Sequence, residues 1–437
     1  MYLPSYVKTC IDALEAAGFA AYAVGGCVRD SLLGLEPADY DLCTAALPDQ
    51  TEAVFRNYKL VLAGKKHGTV GVVTEGGVVE ITTFRTEGAY LDNRHPEWVE
   101  FVEDVTGDLA RRDFTVNAMA YSPTRGFADP FGGQQDLKDR VLRAVGDPTA
   151  RFTEDALRIL RGVRFCATYQ LQPEAQTQEA MCQLALLMEH LARERVFDEL
   201  CKLLIHIRPE HMAKFASIIT QVIPELSSAI GFEQHNPHHI YDVYTHTAHV
   251  IGAVDPQLSL RWAALLHDAG KTATFTRDEQ GCGHFYGHAT VSADIADAVL
   301  RRLKAPTALR EQVVLLVKLH MTPIAPERKA VRRWLSRLGE ENLQQLLLLQ
   351  QADIGGKADI AADDRFHQIR QLICQIQAEN ACLHLKDLAL SGHDLMALGY
   401  AGPAIGKALQ QLLEAVLNEE AENEKQALLR HLNQIKS

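Results

Sequence analysis

The spacing of apolar residues changes near residue 146 of this 437-residue chain. Before that point, the β-branched runs Thr69–Thr74 and Val78–Phe84 are separated by Glu75-Gly76-Gly77, a combination typical of a β-hairpin. From Phe152 onward, apolar positions recur three and four residues apart, which is the period of an amphipathic helix. We therefore predict an α+β head followed by a long, all-helical body.

Chain length also bears on the number of domains, because a single hydrophobic core rarely grows beyond about 250–300 residues. The helical pattern is interrupted again near Gly231–Tyr241 and near Asp353–Gly356. We predict a head at residues 1–145, a helical neck at 146–230, a third domain at 231–360 and a helical tail at 361–437. In the tail, Gly402-Pro403 is expected to start a helix.

Composition argues against several classes of protein. Nine cysteines are scattered without a C-x-x-C pair, which favours reduced thiols over a disulfide framework or a zinc ribbon. No stretch reaches the roughly 20 apolar residues of a membrane span, and the N-terminal segment lacks the pattern of a signal peptide. We expect a cytoplasmic protein without membrane contact. The net charge of −12 counts against nucleic-acid binding, although basic residues outnumber acidic ones from Lys138 to Arg164.

Residues 23–42 read AVGGCVRDSLLGLEPADYDL, a strand pattern that runs into two glycines before a short helix. Glycines let the backbone approach a ligand closely and direct its N–H groups at anionic oxygen atoms. Arg29 follows at the helix start, where its guanidinium can reach a triphosphate as a charge-assisted fork. The pattern predicts a phosphate-binding turn at Gly25-Gly26, and the alternative is an ordinary strand-to-helix turn.

Asp39 and Asp41 follow this turn with one residue between them. Alternate residues of a strand face the same side, so both carboxylates are expected to project together. They repel each other unless cations occupy the gap, and two Mg²⁺ ions roughly 3.5–4 Å apart would activate an attacking oxygen and stabilise the leaving one. We predict a catalytic Mg²⁺ site at Asp39 and Asp41, and the alternative is a solvated acidic edge.

The third carboxylate that such centres often use is either Glu80, on the strand pattern VVEITTF, or Asp113, in the segment RRDFTVNAMA. The same segment brings Arg111 and Arg112 beside the predicted site. We expect Arg112 to hold phosphate or ribose, whereas Arg111 is also compatible with a plain surface charge.

The segment RFTEDALRILRGVRFC (151–166) carries charged residues at every third position from Asp155. Thr153 is predicted to cap this helix, with Glu154 and Asp155 at its positive start. Asp155 and Arg158 would then be neighbours on one face, which places an acceptor beside a planar donor fork. The alternative is a salt bridge between the two with the other arginines solvated.

The motifs GGCVRD, DYDL, RRDFTVNAMA, DPFGG and EDALRILRGVRF occur in the order found in class II tRNA nucleotidyltransferases, and residues 15 to 225 resemble that family strongly. The resemblance implies a polymerase-β-like head and template-independent addition of CCA to the 3′ end of tRNA from CTP and ATP, with release of pyrophosphate. It implies Mg²⁺ on Asp39 and Asp41. It also implies nucleotide binding by a further set of residues: Gly26, Arg29, Arg112, Asp155, Arg158, Arg161 and Arg164. In the family, the pair that matches Asp155 and Arg158 reads the Watson–Crick edges of C and A in place of a nucleic-acid template. The resemblance further implies that the neck, residues 146–230, is an RNA-binding region.

Two enzymes related to this activity remain as alternatives at this point. Poly(A) polymerases resemble the same motifs, and an A-adding enzyme would share the fold. In the family, a loop corresponding to residues 84–101 is linked to switching the pocket from C to A, and enzymes that add only CC lack it. Its presence here favours full CCA addition or addition of A alone.

The body contains an adjacent His267-Asp268 at the end of an apolar helix pattern, and burying both groups is costly without a partner such as a metal. With His246 upstream, this pattern resembles the HD domain, a metal-dependent phosphohydrolase fold. The resemblance implies a second divalent metal on His246, His267 and Asp268, with Asp353 chosen as the last ligand, and extra ligands at places corresponding to His288 and His320. A different reading of the whole chain is an HD-type phosphohydrolase whose head binds RNA. The oligomeric state is not indicated by the sequence.

Overall fold

The computed structural model of the protein describes residues 1–87, 99–236, 240–355 and 364–436. The chain divides into two compact units, Met1–Pro224 and Glu225–Ser437. The predicted head and nearly all of the predicted neck belong to the first unit, and the predicted third domain and tail belong to the second, so the finer four-part division stays a prediction. The α+β class is confirmed, since all strands of the seven-stranded sheet lie in the first 130 residues and helices dominate thereafter.

The first unit is built around a seven-stranded sheet of order β3-β4-β5-β2-β1-β8-β9, in which β2 and β5 are parallel and all other neighbours antiparallel. The predicted hairpin is confirmed, with Thr74 of one strand opposite Gly77 of the next. The strands are β1 (Ala21–Val24), β2 (Asp41–Thr44), β3 (Lys59–Val61), β4 (Thr69–Thr74), β5 (Gly77–Thr83), β6 (Arg85–Glu87), β7 (Val99–Phe101), β8 (Ala120–Ser122), β9 (Gly126–Ala128), β10 (Val141–Leu142) and β11 (Gln172–Pro173).

Helices flank this sheet and continue beyond it within the first unit. The first helix illustrates how the sequence produces these elements. Its buried residues, Val7, Cys10, Ile11 and Leu14, recur three and four residues apart and so lie on one face of the helix. The helices are α1 (Ser5–Ala16), α2 (Gly26–Leu32), α3 (Pro48–Val54), α4 (Val105–Ala110), α5 (Gly133–Lys138), α6 (Pro148–Glu154), α7 (Leu157–Tyr169), α8 (Ala175–Gln183), α9 (Arg193–His206), α10 (Pro209–Lys214) and α11 (Ala216–Val222).

The second unit is helical apart from one short hairpin in its described residues. The predicted helix start at Gly402-Pro403 is confirmed, because a helix begins at Pro403. No helix of the described ranges is long and apolar enough to cross a membrane. The elements are α12 (Val243–Ala253), α13 (Leu258–Leu266), α14 (Lys271–Thr274), β12 (Thr276–Arg277), β13 (Gly283–His284), α15 (His288–Arg302), α16 (Thr307–Leu319), α17 (Arg328–Gly355), α18 (Arg365–Ala378), α19 (Gly392–Ala397), α20 (Pro403–Leu417) and α21 (Lys425–Lys436).

The predicted helix start at Thr153 is wrong. Asp147 caps α6 by accepting a hydrogen bond from the backbone N–H of Thr149 at 3.0 Å, and Pro148 occupies the first helical position. Thr153 therefore lies inside α6. Asp155 follows with an extended backbone (φ −143°, ψ 101°), so two helices, α6 and α7, replace the single helix that was expected.

The motif DPFGG (129–133) begins α5 and packs it against the backbone at Thr115, which precedes β8. The carboxylate of Asp129 accepts hydrogen bonds from the backbone N–H groups of Gly133 and Gln134 at 2.6 and 2.9 Å. A Cβ atom at Gly133 would lie only 2.2 Å from the backbone oxygen of Thr115, so this position has no room for a side chain. By contrast, a Cβ at Gly132 would meet nothing within 4 Å, and only its positive φ of 74° favours glycine.

This difference predicts unequal effects of alanine at the two glycines. We expect Gly133→Ala to lower the free energy of unfolding by about 3 kcal/mol, because the clash is with backbone. Gly132→Ala should cost about 1 kcal/mol, the strain of a left-handed alanine. Urea denaturation followed by circular dichroism measures both, and equal midpoints for the two variants would contradict the close approach at Gly133.

Candidate active site

A cleft of about 490 Å³ opens in the first unit. Its lining includes the two predicted catalytic aspartates and all the residues that the resemblance assigned to nucleotide binding, together with Asp113; Glu80, the other candidate for a third carboxylate, is not among the lining residues. The aspartates and nucleotide-binding residues are Gly26, Arg29, Asp39, Asp41, Arg112, Asp155, Arg158, Arg161 and Arg164. The lining also contains residues to which sequence reasoning gave no role: Asn117, Leu157, Phe165 and Arg195. Phosphate-sized and base-sized groups would therefore meet carboxylates and guanidinium groups in one cavity.

The carboxylates of Asp39, Asp41 and Glu80 lie near one another where β2 begins, in the interior of the central sheet. Asp41 is the first residue of β2 and stands opposite Glu80 of the parallel strand β5, while Asp39 precedes β2 rather than lying on it as expected. Partial desolvation raises the pKa of Asp41 to about 6, the negative charges of Asp39 and Glu80 act in the same direction, and Arg112 opposes them. The negative charge at the start of β2 therefore favours a bound cation. The Asp41 residue is exposed, so a cation could reach it from solvent.

Asp113 is occupied by other contacts. Its Oδ2 lies 2.6 Å from Nη2 of Arg161, and its Oδ1 accepts hydrogen bonds from the backbone N–H of Phe114 and from Nδ2 of Asn117. Burial alone would raise the pKa of Asp113, but Arg161 and these hydrogen bonds lower it to about 2. Of the two candidates for a third metal-binding carboxylate, Glu80 is the one that stands beside Asp41.

The glycine turn makes its close approach at Gly25. This residue has a φ of 77°, and a Cβ atom there would lie 2.7 Å from Nη1 of Arg112, so glycine lets the guanidinium reach the turn. At Gly26 a Cβ would be 3.6 Å from its nearest neighbour, an ordinary contact. Nη2 of Arg112 is also 3.3 Å from the buried carboxylate of Asp108. Arg112 therefore lies against the turn where the sequence predicted phosphate binding.

Arg29 is buried and already engaged by protein groups. Its guanidinium donates to Oδ1 of Asn117 at 2.6 Å, to the hydroxyl of Tyr169 at 2.5 Å and to Asp30 at 2.8 Å. It also lies 4.2 Å from the centre of the Tyr169 ring. These contacts connect the glycine turn to α7, and the direct triphosphate contact expected of Arg29 stays a prediction.

Each arginine of α7 is paired with an acidic residue. Nη1 of Arg158 is 2.7 Å from Glu154, and its Nη2 donates to the backbone oxygen of Arg111 at 3.0 Å. Arg164 pairs with Glu199 of α9, a partner that the sequence pattern did not indicate. With the Asp113 pair of Arg161, these contacts hold the positive side chains around the cleft rather than leaving them solvated.

Asp155 does not pair with Arg158 as the three-residue spacing suggested. Because its backbone is extended, its carboxylate reaches α9, where Oδ2 is 2.8 Å from Nη2 of Arg195. Its Oδ1 accepts a hydrogen bond from the backbone N–H of Leu157 at 3.1 Å, at the start of α7. Arg195 lies 40 residues downstream, so no local pattern could have identified it as the partner.

A second group of chemically active side chains lies in the second unit. His246, His267, Asp268 and Asp353 are buried, and one ligand atom from each falls within 4.8 Å of all the others. Nε2 of His246 is 2.9 Å from Asp353, and Nε2 of His267 is 3.2 Å from Asp268. The four residues that the sequence predicted as one metal-binding set are therefore brought together from α12, the end of α13 and α17.

The ring orientations in this group favour coordination through Nε2. For three rings, Nδ1 lies within 2.8 Å of a backbone carbonyl oxygen, which only accepts hydrogen bonds, so Nδ1 carries the hydrogen. The pairs are His267 with Ala264, His288 with Phe285, and His320 with Val317. Asp268, His288 and His320 form a second buried trio that shares Asp268 with the first set.

Within the described part of the chain, Nε2 of His267 and both carboxylate oxygens of Asp268 are buried without a well-formed hydrogen bond. Nζ of Lys271 stands 2.8 Å from Asp268 and offsets part of this negative charge. Burial would lower the pKa of His267, but the carboxylates of Asp268 and Asp353 raise it to about 9. A divalent cation coordinated by Nε2 of His267 and by carboxylate oxygens of Asp268 and Asp353 would give these buried atoms a partner.

The loop predicted to switch nucleotide preference, residues 84–101, falls mostly on residues 88–98, which lie outside the described residues. Its described ends pair as β6 and β7, with Arg85 opposite Phe101. The role of the loop stays a prediction.

Comparison with known families matches three parts of the chain. Residues 21–143 match the poly A polymerase head domain, and residues 170–230 match a probable RNA and SrmB-binding site of polymerase A. Residues 274–432 match a domain described as tRNA nucleotidyltransferase domain 2, putative. The HD resemblance of the second unit stays a prediction.

Full-length relatives and solved structures agree with these matches. A CCA-adding enzyme of Streptococcus thermophilus is 33% identical over 446 aligned residues, which cover 100% of this chain and 98% of that protein. A CCA-adding enzyme of Geobacillus thermodenitrificans is 47% identical over 194 residues, 44% of this chain and 48% of that protein. The structure of the Bacillus stearothermophilus CCA-adding enzyme in complex with CTP superposes with a TM-score of 0.75 at 28% identity, covering 100% of this chain and 99% of the other.

The Asp113–Arg161 contact predicts a stability effect in the first unit. We expect Asp113→Ala to lower the free energy of unfolding by about 2–3 kcal/mol, because it removes one partner of a mostly buried ion pair and a backbone hydrogen bond. Asp139→Ala removes an exposed carboxylate from the same region and should change stability by less than about 0.5 kcal/mol. Urea unfolding curves of the two variants compare these effects, and an Asp113→Ala curve that overlays the wild-type curve would contradict the role assigned to the pair.

Proposed function

The chain belongs to the family of CCA-adding enzymes, and on that premise we propose how the cleft of its first unit performs the reaction. CCA-adding enzymes are metal-dependent nucleotidyltransferases that extend the 3′ end of tRNA with C, C and A from CTP and ATP and release pyrophosphate. Relatives of this name align over nearly the whole chain, which favours CCA addition over the poly(A) polymerase and A-adding alternatives. We predict a cytoplasmic location, which is consistent with a tRNA substrate.

Asp39 and Asp41 are proposed to bind Mg²⁺, with Glu80 as the third carboxylate. The observation that carries this proposal is that Asp41, two residues after Asp39, stands opposite Glu80 on the neighbouring parallel strand. Burial, followed by the negative charges of Asp39 and Glu80, raises the pKa of Asp41 to about 6. Carboxylate oxygens are the ligands that Mg²⁺ takes in proteins, so the donor set fits the ion. When bound, Mg²⁺ supplies activation of the attacking hydroxyl and charge neutralisation at the phosphates.

The remaining side chains of the cleft position the substrates. In the reaction, the 3′-oxygen of tRNA forms a bond to the α-phosphorus of the nucleotide while the bond to the departing pyrophosphate breaks. Arg112, lying against the turn at Gly25, is placed to neutralise the phosphates of the nucleotide. Asp155, at the other side of the cleft, offers an acceptor for the amino group of C or A. Positioning and electrostatics thus account for most of the catalysis.

The proposal predicts that Asp41→Ala abolishes nucleotide incorporation while the fold is retained. The test uses tRNA trimmed at its 3′ end, incubated with CTP alone, ATP alone and both together. Wild type should add C, C and A, whereas Asp41→Ala should fall at least about 10³-fold, since the metal loses an essential ligand. Asp12→Ala, on the exposed face of α1, is the matched control. Normal turnover by Asp41→Ala would refute the catalytic role, and long A tails without C would favour a poly(A) polymerase.

We propose a second function for the second unit. Nε2 of His267 and both carboxylate oxygens of Asp268 are buried without a well-formed hydrogen bond among the described residues, and they lie in a group of residues that could hold a metal ion. We propose that His246, His267, Asp268 and Asp353 hold a divalent metal and that this site hydrolyses a phosphate ester. When bound, the metal supplies an activated water and polarises the phosphate. Lys271, next to Asp268, is placed to stabilise negative charge on such a substrate.

This second proposal predicts separable activities. Asp268→Asn should lower the bound Mn²⁺, measured by elemental analysis of the dialysed protein, and abolish hydrolysis of bis(p-nitrophenyl) phosphate. Incorporation of C and A into trimmed tRNA should remain, because the head carboxylates are unchanged. His393→Gln, an exposed histidine of α19 outside the buried group, should bind metal as wild type does. Full Mn²⁺ content and hydrolysis in Asp268→Asn would contradict the site.

A further inference from the structure

Asp108 of α4 is a fully buried carboxylate that contacts two arginines of the nucleotide cleft. Its exposed fraction is 0%, whereas Arg111 and Arg112 both line the cleft. Oδ1 of Asp108 accepts hydrogen bonds from Nε and Nη2 of Arg111 at 3.0 and 2.8 Å. Oδ2 accepts a hydrogen bond from Nη2 of Arg112 at 3.3 Å. Each arginine is therefore held by its own oxygen of the same carboxylate.

The charge of Asp108 keeps these two cations together. Burial alone would raise the pKa of Asp108, but the positive charges of Arg111 and Arg112 lower it, so the carboxylate is ionised at neutral pH. Without it, two neighbouring guanidinium groups would repel each other in a site that water screens poorly. A buried ion pair is weak evidence for a gain in stability, because well-packed apolar residues often serve as well. The position of both partners in the lining of the cleft favours a role in substrate binding instead.

Arg112 is confined between Asp108 and the glycine turn. Its Nη2 contacts the Asp108 carboxylate, and its Nη1 lies so near Gly25 that a Cβ atom there would be only 2.7 Å away. Both terminal nitrogens therefore have fixed surroundings before a nucleotide binds. A side chain that is already ordered loses less conformational entropy on binding than one that must first be immobilised.

We propose that Asp108 is a positioning residue of the nucleotide site, which holds Arg112 against the glycine turn so that its guanidinium meets the phosphates of the nucleotide. Asp108 acts through Arg112 and touches no substrate, since it is fully buried and is not among the described residues that line the cleft. The inference rests on the proposed function of the cleft and deepens it, because it identifies what orients one of the phosphate-binding groups.

The test uses inhibition by pyrophosphate, the released product, which carries phosphates without a base or a ribose. Incorporation of C into trimmed tRNA by the full chain gives Ki for pyrophosphate and KM for CTP. Asp108→Asn keeps the size of the side chain and removes its charge. We expect Ki and KM each to rise about 10-fold, as when a hydrogen bond to a charged group is weakened. Neither constant depends on the fraction of folded enzyme, so a purely structural defect would lower only the rate.

Asp136→Asn is the matched control, because it removes the charge of another buried aspartate in the same unit. Asp136 accepts a hydrogen bond from Oγ1 of Thr115 at 2.6 Å and pairs with Arg143 at 3.2 Å. None of these three is found among the described residues of the cleft lining. Asp136→Asn should therefore lower the midpoint of thermal unfolding, while Ki for pyrophosphate and KM for CTP stay at their wild-type values.

The dependence on Arg112 provides a second readout. In an Arg112→Gln background, Asp108→Asn should raise Ki no further, because the group that Asp108 orients is already absent. A Ki that is unchanged or lower in Asp108→Asn, or that rises independently of Arg112, would overturn the inference. Asp108→Glu moves the charge by one methylene and should raise Ki by a smaller factor; if Asp108→Asn does not fold, it carries the comparison. Addition of C and A by wild type checks the proposed function separately, since the inference is judged by ratios between variants.

Discussion

A buried hydrogen-bond network around Asp113 links α7 to the segment that follows the glycine turn in the lining of the cleft. Arg161 of α7 contacts one oxygen of Asp113 at 2.6 Å, and Asn117 donates to the other at 3.0 Å. Asn117 in turn accepts from Arg29, which follows the glycine turn. A continuous chain of hydrogen bonds involving charged side chains therefore connects α7 to the glycine turn, near the carboxylates that we propose bind Mg²⁺. Such networks are costly to break in part, because the remaining buried groups lose their partners.

Asp41 and Asp155 line the same cleft but are positioned by different structural features. Asp41 and Glu80 meet through strand register, because β2 and β5 are parallel neighbours in the sheet. Asp155 is aimed instead by a break between two helices, which lets its carboxylate reach Arg195. The second unit contains the buried His and Asp cluster. There, backbone carbonyl oxygens orient the rings of His267, His288 and His320.

Local patterns in the sequence predicted the features that depend on local geometry. The β4–β5 hairpin, the helix start at Pro403 and the lining of the cleft by Asp39 and Asp41 follow from residue type and spacing. The cap at Thr153 was wrong because Asp147-Pro148 starts a helix six residues earlier. The pairing of Asp155 could not be predicted, since its partner is 40 residues away on a helix whose packing is a tertiary property. Likewise, only the contacts of Asp113 separate it from Glu80 as a metal-binding candidate.

A crystal structure of the chain with CTP and Mg²⁺ would test the central claim most directly. The account predicts Mg²⁺ bound by carboxylate oxygens of Asp39 and Asp41 at about 2.0–2.1 Å, with the triphosphate of the same CTP molecule on the metal and its base against Asp155. Mg²⁺ and triphosphate bound away from these two carboxylates, or a base that lies outside the cleft between α7 and α9, would contradict it.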